Sequence, residues 1–138
     1  MYRDMVSLLS PAVNGDFAIE HFEITDHDIR AIFKGIMPGK YVRLSRRGSV
    51  VMSDTMMEKR TNREFCDKAH GDVLVGGLGI GMILMAIQDN PAVNSITVLE
   101  KHQEVVDMVA QQLPLNEKVK IICADVFEWK PENGQRFD

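Results

Sequence analysis

Three glycines alternate at Gly77, Gly79 and Gly81, directly after an apolar stretch of the chain. Glycine weakens strands and helices alike, so this repetition predicts a turn whose backbone closely approaches a ligand. Two carboxylates, Glu100 and Asp125, each end a later apolar segment. One carboxylate can accept hydrogen bonds from both hydroxyls of a ribose, and another can accept one from the exocyclic amine of adenine. These residue types together indicate a nucleoside site.

The segment 71–138 alternates predicted strands with predicted helices. We expect strands over 72–76, 95–100 and 118–125, helices over 82–89 and 102–112, and a short helical turn at VFEW. This alternation predicts parallel βαβ units with right-handed crossovers, which is the opening half of a Rossmann-like sheet. Ligands of such sheets bind beyond the carboxyl ends of the strands, so the glycines and both carboxylates should meet at that edge.

The segment 1–70 is predicted to be a small, β-rich region that precedes the sheet domain, with the boundary near His70. Apolar and polar residues alternate over 17–24, which predicts a half-buried strand. A short helix should follow it and end before Pro38. Two β-prone runs around Arg46–Gly48 predict a hairpin over 40–53. Two capping-box patterns, which begin at Thr55 and Thr61, predict a helix over 54–69 and allow a break near Thr61. The fold class is therefore α/β.

Composition narrows the function classes. The chain has 138 residues, 26% of them charged, and a net charge of -4, which does not indicate a nucleic-acid partner. Cys66 and Cys123 are far apart and lack metal-ligand spacing, so we expect them to be reduced, half-buried thiols of a cytoplasmic protein. No stretch reaches the roughly 18 apolar residues of a membrane helix. His21 and His27 flank two acidic residues, but their spacing matches no metal-ligand pattern, and we expect no metal site.

The spacing of the glycines bears on the identity of the cofactor. The dinucleotide fingerprint is G-x-G-x-x-G, whereas this chain has G-x-G-x-G. In the segments VLVGGLGIG, ITVLEKH and KIICADVFEW, the chain resembles the class I S-adenosylmethionine-dependent methyltransferases, and within them the spermidine synthase (aminopropyltransferase) branch. The resemblance covers residues 71–138, and for residues 1–70 it extends only to the topology.

The resemblance implies a small-molecule cofactor, S-adenosylmethionine, and a set of residues that bind it: Gly77, Leu78, Gly79, Gly81, Glu100, Asp125 and Val126. The glycines would line the methionine-like tail, Glu100 would bind the ribose, and Asp125 would bind the adenine amine. Val126 and Ile80 are apolar and could sandwich the adenine ring. Aminopropyltransferases carry an aspartate where this chain has Ile80, so we expect methyl transfer rather than polyamine chemistry.

Several alternatives stay open at this stage. A nicotinamide-dependent oxidoreductase shares the strand, the glycines and Glu100, and a non-catalytic binding module could use the basic hairpin over 40–47 as its contact surface. We name no catalytic residue, because the resemblance is to the N-terminal part of a longer fold and implies that such residues follow Asp138. A sheet without its fourth strand leaves segment 73–77 as an unprotected edge, which predicts a homo-oligomer.

Overall fold

A four-stranded antiparallel sheet forms the N-terminal region of the computed structural model, which describes residues 2–138. Its strands are neighbours in chain order: β1 (Ala12–Asn14), β2 (Phe17–Ile24), β3 (Gly39–Arg46) and β4 (Ser49–Ser53). The predicted strand over 17–24 and the predicted hairpin over 40–53 are confirmed. A short helix, α1 (Met5–Leu8), and the strand β1 precede them and were not expected from the sequence.

Two helices belong to this region. Helix α2 (Ile29–Phe33) is capped at its N-terminus by Asp28, whose Oδ1 accepts a hydrogen bond from the amide of Ala31 over 3.0 Å. Helix α3 (Met56–Lys68) is continuous, so the break allowed near Thr61 is wrong. Thr61 lies inside the helix, where its hydroxyl donates to the carbonyl of Met57 over 2.9 Å instead of capping a new helix.

A three-stranded parallel sheet forms the second region, in the order β5-β6-β7. Its strands are β5 (Gly71–Gly76), β6 (Val93–Glu100) and β7 (Val119–Cys123). Its crossovers contain α4 (Met82–Ile87) and α5 (Gln103–Val109), and a 3-10 turn over Ala110–Gln112 extends α5. The alternation of strands and helices predicted from the sequence is confirmed, and the parallel sheet is compatible with a Rossmann-like fold.

Strand β5 is one of the two edge strands of the parallel sheet. On its inner side the amide of Gly77 donates to the carbonyl of Leu99 at 2.7 Å. On its outer side the amide of Asp138 donates to the carbonyl of Asp72 at 2.7 Å, and the Asp138 carboxylate accepts from the Asp72 amide at 2.9 Å. Asp138 therefore pairs with the first residues of this edge.

The two sheets share one buried apolar cluster. Ile19 and Leu44 from the antiparallel sheet belong to the same cluster as Ile80 and Ile96 from the parallel-sheet region. Polar contacts also join the regions: the Gln112 Oε1 accepts from the Ser10 amide over 2.8 Å, and the Asn14 Nδ2 donates to the Glu104 carbonyl over 3.3 Å. This packing holds the β3–β4 hairpin beside the carboxyl ends of the parallel strands.

The helices are short relative to the thickness of a bilayer. The longest helix among residues 2–138 is α3, with 13 residues, and no helix in that range is both long and apolar enough to cross a membrane.

Candidate functional site

Glu100 stands at the carboxyl end of β6 as a buried carboxylate that is 7% exposed. Its Oε2 accepts a hydrogen bond from the amide of Leu78 over 2.8 Å, and its Oε1 accepts one from the amide of His102 over 3.0 Å. A carboxylate offers about four acceptor positions, so each oxygen can accept a further hydrogen bond. The two backbone amides thus fix in place an acceptor that can still bind hydroxyl groups.

The glycine loop, residues 77–81, connects β5 to α4. Gly77 has φ +97°, a conformation that side chains with a Cβ rarely adopt, and a Cβ added there would meet open space. Leu78 and Ile80 turn inward, and Ile80 is completely buried in the core. The prediction that Ile80 sandwiches an adenine ring is therefore wrong, because its side chain packs in the core instead of facing a ligand.

Two adjoining cavities meet at Glu100. The hairpin cavity, about 450 Å³, lies between the glycine loop and the residues contributed by β3, β4 and α3. The strand-end cavity, about 320 Å³, lies between the carboxyl ends of β6 and β7. Both are lined by Gly76, Gly77, Glu100 and His102, so the two cavities adjoin along these residues, and we refer to them together as the groove. Such a groove suits an elongated ligand whose central part carries hydroxyl groups.

The structure brings most of the sequence-predicted site residues to this groove. Leu78 and Gly79 line the hairpin cavity, and Asp125 and Val126 line the strand-end cavity. Gly81 lies outside both cavities, and a Cβ added to it would meet the side chain of Leu113. Gly81 is therefore placed to allow close packing between the loop and the segment after α5.

Asp125 is a partly exposed carboxylate at the strand-end cavity. Its Oδ1 accepts a hydrogen bond from the Phe127 amide over 2.9 Å, and its Oδ2 lies 3.5 Å from the Nζ of Lys101. The backbone hydrogen bond from Phe127 is the largest effect and lowers the pKa of Asp125. Burial opposes it, and the nearby Lys101 ammonium lowers the pKa further. The carboxylate is thus held in the ionised form that accepts hydrogen bonds from an amine.

The hairpin cavity also contains residues that the sequence did not single out as ligand contacts. Arg46 extends from the end of β3, with its guanidinium carbon 5.3 Å from the centre of the Phe17 ring. The Phe17 ring in turn lies 5.0 Å from the imidazole of His102. Glu58 and Asn62 from α3 line the same cavity. The sequence patterns that included members of this group were the basic hairpin over 40–47, which contains Arg46, and the capping box that begins at Thr55, which contains Glu58.

Metal ligands are not grouped in the described part of the chain. Over residues 2–138, no set of three or more His, Cys, Asp and Glu side chains is arranged to hold an ion. His21, which the sequence placed near two acidic residues, hydrogen-bonds through its Nε2 to the carbonyl of Leu9. Cys66 and Cys123 are both free thiols, the first buried and the second exposed.

The comparisons with known proteins give no relative: no family model matches the sequence, and no curated protein matches it either. A functional assignment therefore depends on the residues and geometry of the groove.

Proposed function

We propose that the groove binds S-adenosylmethionine and that this chain is the cofactor-binding part of an S-adenosylmethionine-dependent methyltransferase with a Rossmann-like, spermidine synthase-like fold. The observation that carries the proposal is the position of Glu100, a buried carboxylate at the junction of two cavities. A ribose hydrogen-bonded to Glu100 directs its base toward one cavity and its 5′ substituent toward the other.

Each part of the ligand then meets suitable groups. Adenine in the strand-end cavity has the ionised Asp125 to accept from its exocyclic amine, and the half-exposed Val126 offers apolar contact. The 5′ substituent enters the hairpin cavity beside Gly77, where the open side of the glycine leaves room for it. Of the residues that line the hairpin cavity, Glu58 and Glu100 are acidic and Arg46 is the one Lys or Arg side chain. The two negative charges of a dinucleotide pyrophosphate would therefore be incompletely compensated there, which disfavours a nicotinamide cofactor.

S-adenosylmethionine, when bound, supplies an electrophilic methyl group. The residues of this chain bind and orient the cofactor, and methyl transfer gains most of its rate from such positioning of the reacting groups. No residue between 2 and 138 is assigned as a general base, and a screen of nucleophiles with the bound cofactor identifies the acceptor.

Calorimetric titration with S-adenosylhomocysteine tests the proposal. We expect the wild-type chain to bind, and Asp125→Asn and Glu100→Gln each to weaken binding by about tenfold, because each replaces a charged acceptor with a neutral one. Glu117→Gln, an exposed acid outside the groove, serves as the control and should bind as the wild type does.

Two results would contradict the proposal. Absence of binding heat by the wild-type chain is the first, and unchanged affinity in both groove variants is the second. NADH fluorescence in a parallel titration distinguishes the competing enzyme class, since binding of NADH without binding of S-adenosylhomocysteine would favour an oxidoreductase.

A further inference from the structure

The three arginines of the β3–β4 hairpin have different partners. Arg43 pairs with Glu20, with 3.3 Å between Nη2 and Oε2, and Arg47 pairs with Asp16 over 3.0 Å. Arg46 forms no ion pair with any residue in 2–138, and it is the one of the three that lines the hairpin cavity. The guanidinium of Arg46 lies over the face of Phe17, which orients it without using its N–H donors.

Glu58 lines the same cavity from the first turn of α3. It, too, forms no ion pair within the described residues. The backbone of Glu58 is fixed by the helix, and its carbonyl accepts a hydrogen bond from the Nδ2 of Asn62 over 2.9 Å. Apart from Glu100, which is the proposed ribose contact, one cation and one anion from two different elements therefore face this cavity, and neither forms an ion pair with another described side chain.

We propose that Arg46 and Glu58 recognise an α-amino-acid zwitterion in the hairpin cavity. The Arg46 guanidinium donates two N–H groups to the α-carboxylate of the ligand, and the Glu58 carboxylate accepts from its α-ammonium group. The assignment rests on the proposed function, because the nucleoside held by Glu100 and Asp125 is what delivers the amino-acid tail to this cavity.

The charges of the cavity select among nucleoside thioethers and sulfoniums. An intact methionine-type tail carries one negative and one positive group, which match Arg46 and Glu58 in turn. A decarboxylated, aminopropyl tail carries only the positive group. It would leave Arg46 without a partner and would place the ligand's ammonium group in the same cavity as the Arg46 guanidinium. A nucleoside without the tail would leave both side chains unpaired. Arg46 is thus the residue that favours the intact amino acid.

Titration with three ligands tests this selectivity: S-adenosylhomocysteine, 5′-methylthioadenosine, which lacks the amino acid, and decarboxylated S-adenosylmethionine. We expect the wild-type chain to bind S-adenosylhomocysteine about 10- to 100-fold more tightly than 5′-methylthioadenosine, because the tail adds charge-assisted hydrogen bonds. Arg46→Gln and Glu58→Gln should each lower the affinity for S-adenosylhomocysteine by about tenfold and leave that for 5′-methylthioadenosine unchanged.

Arg47→Gln is the matched control, since it removes the same charge from the next residue, which lies outside the cavity. A variant that misfolds would also lose its affinity for 5′-methylthioadenosine. The ratio of the affinities for S-adenosylhomocysteine and 5′-methylthioadenosine therefore separates recognition of the tail from folding. Equal wild-type affinities for the two ligands, or equal effects of Arg46→Gln and Arg47→Gln, would overturn this inference and leave the nucleoside site intact. Failure to bind any of the three ligands would overturn the proposed function and this inference together.

Discussion

The Glu100 carboxylate and the Leu78 amide are joined by a 2.8 Å hydrogen bond that links the end of β6 to the loop after β5. The other oxygen of the Glu100 carboxylate accepts a hydrogen bond from the amide of His102, the residue that precedes α5. One side chain thus ties two successive strand–helix junctions together where the two cavities adjoin. A residue proposed to bind the ribose is also the residue that shapes the loop beside it.

This double role predicts a large stability effect. Glu100→Ala would leave two backbone amides without their acceptor in a buried place, so we expect the free energy of unfolding to fall by about 2 to 4 kcal/mol. Glu100→Gln keeps one acceptor oxygen, so its free energy of unfolding should fall by less than half as much as that of Glu100→Ala. Urea denaturation measures both variants, and an unfolding curve of Glu100→Ala that overlays the wild type would contradict the role of Glu100 in holding the loop.

Two glycines of the loop should respond differently to alanine. At Gly77 the added methyl group projects into the open groove, so Gly77→Ala should weaken S-adenosylhomocysteine binding by more than tenfold while backbone strain costs about 1 kcal/mol of stability. At Gly81 the methyl group meets Leu113, so Gly81→Ala should lower stability by about 2 kcal/mol. Calorimetry and thermal unfolding on both variants check this, and the reverse pattern would contradict the assignment of Gly77 to the groove.

Asp54 predicts a pH dependence of stability. Burial is the main cause that raises the pKa of this carboxyl above its ordinary 3.8, against the hydrogen bond that its Oδ1 accepts from the Val42 amide over 2.9 Å. The folded protein therefore holds this proton more tightly than the unfolded chain does. Stability from this group is lost as the pH rises from about 3.8 through the raised pKa, and the loss stays constant above it.

The variant Asp54→Asn removes the ionisation and keeps an acceptor oxygen for Val42. We expect its free energy of unfolding to increase relative to the wild type across that pH range, by about 1.4 kcal/mol for each unit by which the pKa is raised. Chemical denaturation at a series of pH values measures this difference. A difference that does not change with pH, or that changes in the opposite sense, would show that burial of Asp54 does not control its ionisation.

The outer edge of β5 predicts self-association. The amides of Gly71 and Gly77 donate toward the interior of the sheet, and the backbone of Asp72 pairs on the opposite side with Asp138. Successive residues of a strand direct their backbone groups to alternate sides, so the N–H and C=O groups of Leu74 point away from β6. Apolar edge strands with free backbone groups pair with other strands. We expect light scattering to show a dimer or a larger species formed through this edge.

Leu74→Pro removes the outward N–H and leaves the inward hydrogen bonds to β6, so it should shift the protein to a monomer. Leu74→Ala keeps the N–H group and should stay associated, which separates the loss of the backbone donor from the loss of the leucine side chain. A wild-type chain that stays monomeric at high concentration would contradict pairing along β5.

The parallel region was the more predictable part of the fold. Strand β6 carries an apolar run that is buried on both faces, and its end at Glu100 is set by the change to polar residues, so the local pattern determines the element. Helix α1 and strand β1 were missed because no periodic pattern marks them. Their positions depend on distant contacts, through which Met5 and Leu9 become fully buried in the shared core.

The site was predictable to the same extent. Glu100 and Asp125 reach one groove because the carboxyl ends of adjacent parallel strands converge, which is a property of the topology. The side-chain directions were not predictable: Ile80 turns into the core through a loop whose glycines have positive φ. Arg46 faces the cavity through the register of β3 with β4, which shifts between Leu44 and Ser45. A sequence pattern does not specify that shift.

The shared core has a consequence for the thermodynamics of the whole chain. Ile19 and Leu44 are buried against the same cluster as Leu78 and Ile80, so separation of the two sheets would expose apolar surface on each of them to water. The groove lies at the same junction, with walls drawn from both regions. A ligand bound in the groove would contact both regions, so we expect it to raise the melting temperatures of the antiparallel and the parallel sheet together.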